Sequence, residues 1–92
     1  MPDLLMALNL VKTRLDRIHV NEQTEEYLRI RIEAAVQELK KNGITLTDST
    51  DDLVLLVDFT VWEYQNRDKP GGKPEWLRQR LRDRFLAEPR GN

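Results

Sequence analysis

DLVLLVDFTVWEY, residues 52–64, is the most apolar segment of this 92-residue chain. It is too long for a single strand, so it predicts a helix of roughly four turns. Apolar side chains cover nearly every side of that helix and leave two narrow polar lines. One line holds Asp51, Asp58 and Gln65, and the other holds Asp52 and Glu63. Such a helix is either central in its domain or shared with a partner subunit.

The length predicts one domain, residues 1–92, with a modest core, because a chain of this size buries only about 60–65% of its unfolded surface. The chain contains no cysteine, which excludes disulfides, thiolate metal sites and a thiol nucleophile. No basic segment precedes an apolar one, so no signal peptide is expected. The central apolar run is shorter than about 20 residues and contains Asp58, so no membrane span is expected.

Apolar periodicity predicts an all-α fold with four helices, at about 3–17, 24–41, 50–67 and 74–86, packed around the third. Stripes at helical spacing run through the other three helices (Leu4, Leu8, Val11, Leu15 and Ile18; Leu28, Ile32, Ala35, Val36 and Leu39; Leu77, Leu81 and Phe85). Ile30 and Ala34 lie off the second stripe and suggest a second contact surface. Residues 1–5 are expected to form a flexible extension and residues 87–92 a frayed tail.

Capping residues indicate where these helices begin and end. The expected N-caps are Asp3 for the first helix, Asn21 or Thr24 for the second, and Asp48, Ser49 or Thr50 for the third. Gly43 is expected to close the second helix in a left-handed conformation. Residues 44–47 should form a short extended link anchored by Ile44 and Leu46, and Pro74 should lie in the first turn of the last helix.

The formal charge of −1 conceals an uneven distribution along the chain. Residues 48–66 carry five acidic side chains and no base, whereas residues 67–84 carry seven bases and three acids. Two explanations remain open: the charges pair within one chain, or an acidic edge of one subunit meets a basic edge of the next. The candidate interface residues are Asp51, Asp58, Trp62, Glu63, Arg78, Arg80, Arg82 and Arg84.

Asp58 stands out because it interrupts an apolar helix. A buried carboxylate needs a partner or a raised pKa. Either Asp58 belongs to a solvent-facing line with Asp51 and Gln65, or it pairs with an arginine of the last helix. The functional form of the second hypothesis places that arginine on a neighbouring subunit.

No group of residues in the sequence predicts catalysis, a cofactor or a metal. His19 is the only histidine and falls in a linker. Gly71 and Gly72 lack the flanking pattern of a phosphate-binding loop and indicate a turn. The adjacent acid pairs at 25–26 and 51–52 diverge by about 100° on a helix, so neither pair converges on a ligand. We therefore expect a protein that is not an enzyme.

The last helix carries four alternating arginines in two rows, Arg78 with Arg82 and Arg80 with Arg84. They are either solvated, snorkelling side chains or a surface for nucleic acid. The chain is acidic overall, so weak non-specific contact with a DNA backbone is the most that this composition supports. A small helical DNA-associated regulatory protein that uses these arginines is the alternative function.

Three segments resemble, in order, the small head–tail connector family of tailed phages and prophages, also called adaptor or head completion proteins. They are MALNLVKTRLDRI (6–18), YLRIRIEAAVQELKKNGI (27–44) and VWEYQNRDKPGGKPEWLRQRLRDRF (61–85). The likeness includes the VKTRL opening, the AA-x-x-x-L-x-x-x-G-I second helix, the N-R-D end of the long helix and the P-x-x-L-x-x-R-L close. Residues 1–5 depart from the usual start.

The resemblance implies a structural subunit that forms a ring beneath the portal of a DNA-filled capsid. Such a ring extends the DNA channel and docks the next connector or tail component. The implied partners are further copies of the chain, the portal protein, a downstream connector or tail protein, and packaged DNA through non-specific contact. The implied location is the head–tail junction of the virion, and the host bacterial cytoplasm during assembly.

Overall fold

The architecture, seen in a computed structural model that describes residues 1–15 and 22–88, is all-α as predicted. The described helices are α1 (Leu4–Arg14), α2 (Glu22–Lys41), α3 (Thr50–Gln65) and α4 (Glu75–Leu86), and the described residues include no strand. Close backbone approaches join α1, α2 and α3 pairwise. In contrast, α4 attaches to this trio mainly through its side chains, with Leu77 fully buried and Leu81 packed against the core.

The apolar third helix lies at the centre, and the same chain covers most of it. Its buried apolar side chains are Leu55, Leu56, Val57, Phe59, Val61 and Tyr64. Leu53 and Trp62 are half-buried and pack against the core, while Val54 is 43% exposed. The first of the two possibilities for this helix, a central position in its own domain, therefore applies to the single chain.

The helix ends agree with several of the predicted caps. Asp3 accepts hydrogen bonds from the Leu5 and Met6 N–H groups at the start of α1, and Ser49 accepts one from the Asp52 N–H in α3. Pro2 is buried, and α1 includes two of the five residues expected to form an extension. Ala87 caps α4, so the expected tail begins with two described residues, 87 and 88, and continues outside the described part.

Several boundaries differ from the predicted ones by one to three residues. Helix α1 ends at Arg14 with Leu15 as its C-cap, and residues 16 and 17 lie outside the described part. Helix α2 already begins at Glu22, so Thr24 is not its N-cap, and Asn21 lies outside the described residues. Helix α3 ends at Gln65, since the C-cap Asn66 leaves helical geometry at φ −115°, and its side-chain amide also donates to the Trp62 carbonyl at 2.8 Å. Pro74 is the N-cap of α4 rather than its first residue, a difference within the usual uncertainty of helix ends.

The link between α2 and α3 starts with a left-handed glycine. Gly43 has φ +87°, its N–H donates to the Lys40 carbonyl at 3.1 Å, and the Ile44 N–H donates to the Leu39 carbonyl at 2.9 Å. This paired arrangement is the Schellman motif, which satisfies the last carbonyls of α2. Ile44 and Leu46 are buried, as predicted for the anchors of the link.

Replacing Gly43 with alanine should lower the free energy of unfolding by about 1–2 kcal/mol, because alanine is strained at this positive φ. The added Cβ would also lie 2.7 Å from Cε2 of Phe85, so the ring would have to shift. Urea unfolding followed by circular dichroism measures the loss. Gly72 is the control: no atom lies within 4 Å of an added Cβ there, so Gly72→Ala should be neutral or slightly stabilising. Equal effects of the two variants would contradict this explanation.

Candidate subunit interface and the ionic seam

Asp58 connects three helices through its two carboxylate oxygens. Oδ1 accepts from Nη1 of Arg14 on α1, and Oδ2 accepts from Nη1 of Arg80 on α4. The Asp58 side chain is only 14% exposed. Burial alone would raise its pKa, but the hydrogen bonds from Arg14 and Arg80 more than offset that effect, so the pKa of Asp58 lies below its usual value. Asp58 is therefore charged at neutral pH and attaches α4 to α3.

Asp52 forms a second, more deeply buried attachment one and a half turns earlier on α3. Its Oδ2 accepts from the Thr47 N–H at 2.7 Å and from the Thr47 hydroxyl at 2.8 Å. Its Oδ1 accepts from Nε of Arg84 at 2.8 Å. Burial acts to raise the pKa of Asp52, but the bonds from Arg84 and Thr47 outweigh it and lower the pKa.

Arg84 uses its remaining donors to attach the end of α4 to the link between α2 and α3. Nη2 donates to the Thr45 carbonyl at 2.8 Å, and Nη1 donates to the carboxylate of Glu88. Glu88 in turn accepts from the Thr45 N–H at 3.3 Å. We call the set Asp52, Asp58, Arg80 and Arg84, with the flanking Arg14 and Glu88, the ionic seam.

The ionic seam answers the question that the charge distribution raised. Asp58 does pair with an arginine of the last helix, and it does so within the chain, so it does not belong to a solvent-facing line. Asp51 and Gln65, the other two residues of that line, are exposed. For Asp52, Asp58, Arg80 and Arg84, the intramolecular explanation of the opposite charges holds in the single chain.

The other candidate interface residues lie outside the seam. Arg78 is exposed and pairs with Glu75 one turn earlier on α4. Arg82 is exposed and forms no ion pair among the described residues. Trp62 and Glu63 are half-buried on α3. Three of the four arginines of α4 thus already contact a carboxylate of their own chain, which weakens the case for a DNA surface on this helix.

Glu63 carries the least compensated charge of the candidate residues. Burial raises its pKa, the nearby charge of Glu38 adds to the rise, and Arg31 and Lys73 offset it only in part. Glu63 forms no hydrogen bond or ion pair within the described part of the chain. The charged carboxylate is therefore less stable in the folded protein than in the unfolded chain.

Replacing Glu63 with glutamine should raise the free energy of unfolding at pH 7, by up to about 1 kcal/mol, because it removes a partly buried, unpaired charge. A raised folded-state pKa means that the wild-type protein loses stability as the pH rises through that pKa. The advantage of the variant should therefore disappear below pH about 4.5, the ordinary glutamate value. Urea unfolding at pH 4 and pH 7 tests this. The exposed Glu33, as Glu33→Gln, is the control, and a variant advantage independent of pH would refute the prediction.

Sequence reasoning missed several members of the ionic seam. Asp52 was placed on a polar line of α3, yet it is almost fully buried. A signal existed: Asp52 follows the N-cap Ser49 by three residues, the spacing of a capping box, in which an acidic side chain turns back toward the preceding chain. Arg14 carried no comparable signal, because it lies 44 residues from Asp58.

Large apolar side chains remain exposed on the surface in two groups. One group lies on α1 and α2 and the other on α4 (Leu5, Met6, Leu10, Tyr27 and Ile30; Trp76, Phe85 and Leu86), while Met1 and Val54 are exposed outside both. The exposure of Ile30 and Ala34 agrees with their predicted position away from the core stripe. Most of the exposed apolar surface of the described part therefore belongs to these helices rather than to α3.

Within residues 1–15 and 22–88, metal-binding groups of side chains and membrane-spanning helices were both sought. No three histidine, cysteine or acidic side chains within them lie close enough together to hold a metal ion, and His19 lies outside the described part. None of the described helices combines the length and the apolar character needed to cross a bilayer. Comparisons with protein-family models, curated proteins and solved structures find no match to this chain.

Proposed function

We propose that this protein is a phage or prophage head–tail connector subunit that forms a ring beneath a portal, extends the DNA channel and docks a tail component. The observation that carries the proposal is the ordered series of three segments, 6–18, 27–44 and 61–85, which together resemble that family. Its mechanism is assembly through surfaces, without bond chemistry.

The distribution of exposed side chains supports an assembly role. A closed ring uses heterologous contacts, in which one surface meets a different surface of the neighbouring subunit. The chain offers two separate groups of exposed apolar side chains, one on α1 and α2 and one on α4. Exposed apolar side chains of this kind can be covered by a neighbouring subunit in an assembly. These two groups are the pair of surfaces that the proposal assigns to neighbouring subunits.

The ionic seam changes which charged residues the proposal uses. Asp58, Arg80 and Arg84 are neutralised within the chain, so an interface that recruited them would first have to break internal ion pairs. Asp51 and Arg82 are exposed and free of ion pairs among the described residues. We therefore assign the electrostatic part of a ring contact to Asp51 and Arg82, and the seam to holding α4 in place.

The test is a pull-down with the purified portal protein encoded in the same genome, followed by negative-stain microscopy. The expected result is a stable complex with an additional ring on the portal. The readout is the complex rather than the isolated protein, because subunits of this kind can be monomeric when alone. Leu5→Glu, which places a charge among the exposed residues of α1, should abolish the ring without unfolding the chain. Two folded proteins that do not associate at any concentration would refute the proposal.

The same preparation tests the alternative DNA-associated role. That role would be supported by a stable monomer or dimer that binds duplex DNA with steep salt dependence and does not bind the portal protein. The variant Arg78→Ala/Arg82→Ala removes the two exposed arginines of α4 and should then weaken DNA binding. The connector proposal expects no such dependence.

A further inference from the structure

We infer that the cleft between the end of α2, the middle of α3 and the second half of α4 is a docking site for an acidic, apolar peptide segment of another protein. The cleft has a volume of about 400 Å³. Its walls are apolar side chains from α2, the link after it, α3 and α4 (Leu39, Ile44, Phe59, Leu81 and Phe85). The inference does not rest on the connector proposal, and because Phe85 and Arg82 are also assigned there to a neighbouring subunit, the two are alternative uses of this part of α4.

The apolar floor of the cleft is rigid. Leu39, Ile44 and Phe59 are almost completely buried in the core. Phe85 lies against Gly43, and because glycine has no Cβ the ring occupies the space that a side chain would otherwise fill. Phe85 is about one-third exposed and Leu81 is half-buried, so both present apolar surface to the cleft. A bound segment would therefore cover apolar surface without rearranging the core.

Two cations at the cleft define the chemistry of the occupant. Lys73 and Arg82 line it, and neither forms an ion pair or a hydrogen bond within the described residues. The Lys73 ammonium lies 5.8 Å from the centre of the Phe59 ring, a contact that holds it over the apolar floor. The positive charge of Lys73 also acts on Glu63, whose pKa is raised mainly by burial.

The absence of acidic side chains from this lining distinguishes the cleft from its neighbours. The cleft between α3 and α4 is lined by Asp51, Asp52 and Asp83 as well as by arginines. The clefts beside α2 contain Glu33 in one case and Glu25 with Glu26 in the other. In the cleft of the inference, which we call the Phe85 cleft, the charged lining residues are Lys73 and Arg82, both basic. A ligand there meets positive charge that no lining residue neutralises.

Apolar walls with uncompensated cations favour a partner that supplies both apolar and acidic side chains. Amphipathic helices and short extended segments bind grooves in this way, with apolar anchors in the groove and charges on the rim. Electrostatic complementarity then contributes specificity and association rate more than affinity. Nucleic acid fits less well, because its backbone would use the two cations and leave the apolar walls uncovered.

The experiment is to select peptides from a random displayed library against the purified full-length chain and to measure the enriched peptide by fluorescence polarisation. The expected consensus contains at least two large apolar residues and at least one acidic residue. The variant Lys73→Glu/Arg82→Glu should weaken binding roughly tenfold or more, since two attractive rim contacts become repulsive. Binding should also weaken as salt increases.

The matched control is Lys69→Glu/Arg78→Glu, which makes the same charge change in the same loop and on the same helix, outside the cleft lining. It should retain wild-type affinity, and circular dichroism should show both variants to be folded. The inference would be overturned if the library gave no peptide enrichment over an unrelated helical protein, or if the consensus contained no acidic residue. An equal loss of peptide affinity in the two variants would also overturn it. So would displacement of the peptide by duplex DNA added at the same concentration of negative charge.

Discussion

Replacing Phe59 with alanine is expected to lower the free energy of unfolding by about 3–5 kcal/mol, the largest effect of any substitution proposed for this chain. Phe59 is 1% exposed at the centre of α3 and is the largest fully buried side chain in the described part. A domain of this length typically has a total stability of about 5–14 kcal/mol. Phe59→Ala should therefore leave the protein partly unfolded near body temperature. Urea unfolding followed by circular dichroism measures the loss.

The control for Phe59 is Val54→Ala on the same helix. Val54 is 43% exposed, so its truncation should change the stability by less than about 0.5 kcal/mol. Both variants should be measured at two protein concentrations. Because α3 is covered by its own chain, the unfolding midpoint should not depend on concentration. A loss below about 1 kcal/mol for Phe59→Ala would contradict the central position of Phe59 in the core, and a midpoint that rises with concentration would show that association of copies stabilises the fold.

Replacing Arg84 with methionine should cost about 3 kcal/mol, because it leaves the buried carboxylate of Asp52 without its cation. The aliphatic part of the side chain is preserved, so the loss reports on charge and hydrogen bonds rather than on packing. Arg82→Met is the control. Arg82 is exposed and forms no ion pair within the described part, so its replacement should change stability by less than about 0.5 kcal/mol.

The pH dependence separates this explanation from a simple loss of contacts. The folded-state pKa of Asp52 lies below its ordinary value of 3.8, so its stabilising contribution is present above that pH and is lost as the pH falls through the folded-state value. The difference between wild type and Arg84→Met should therefore shrink below pH about 4. A difference that stays constant with pH would contradict the role assigned to Asp52.

A double-mutant cycle measures the coupling between Asp52 and Arg84 directly. Asp52→Asn removes the buried charge, so in that background Arg84→Met should cost less than it does in the wild type, by about 1–3 kcal/mol. Additive losses would mean that Arg84 acts through Thr45 and Glu88 instead. The result matters for the proposed functions, since the position of Phe85 and Arg82 depends on how α4 is held.

Sequence reasoning identified the local features of the candidate surfaces and missed their long-range partners. It singled out Asp58 and the arginines of α4 because charges next to apolar stripes are visible in the sequence. It did not find that Arg14 joins them or that Asp52 is buried. It also did not find the Phe85 cleft, whose walls come from residues up to 46 positions apart, from Leu39 to Phe85.

The amino-acid sequence alone determined the all-α class, the four helices and the caps at Asp3 and Gly43, and it reduced the α3 cap to three adjacent residues that include Ser49, because helical hydrogen bonds, apolar periodicity and capping act within a few residues. Only the tertiary structure decided that α3 is covered by its own chain and that the acidic and basic segments pair internally. Periodicity tells which face of a helix is apolar or charged. The surface against which that face packs depends on the arrangement of the helices. Many weak contacts between distant residues set this arrangement.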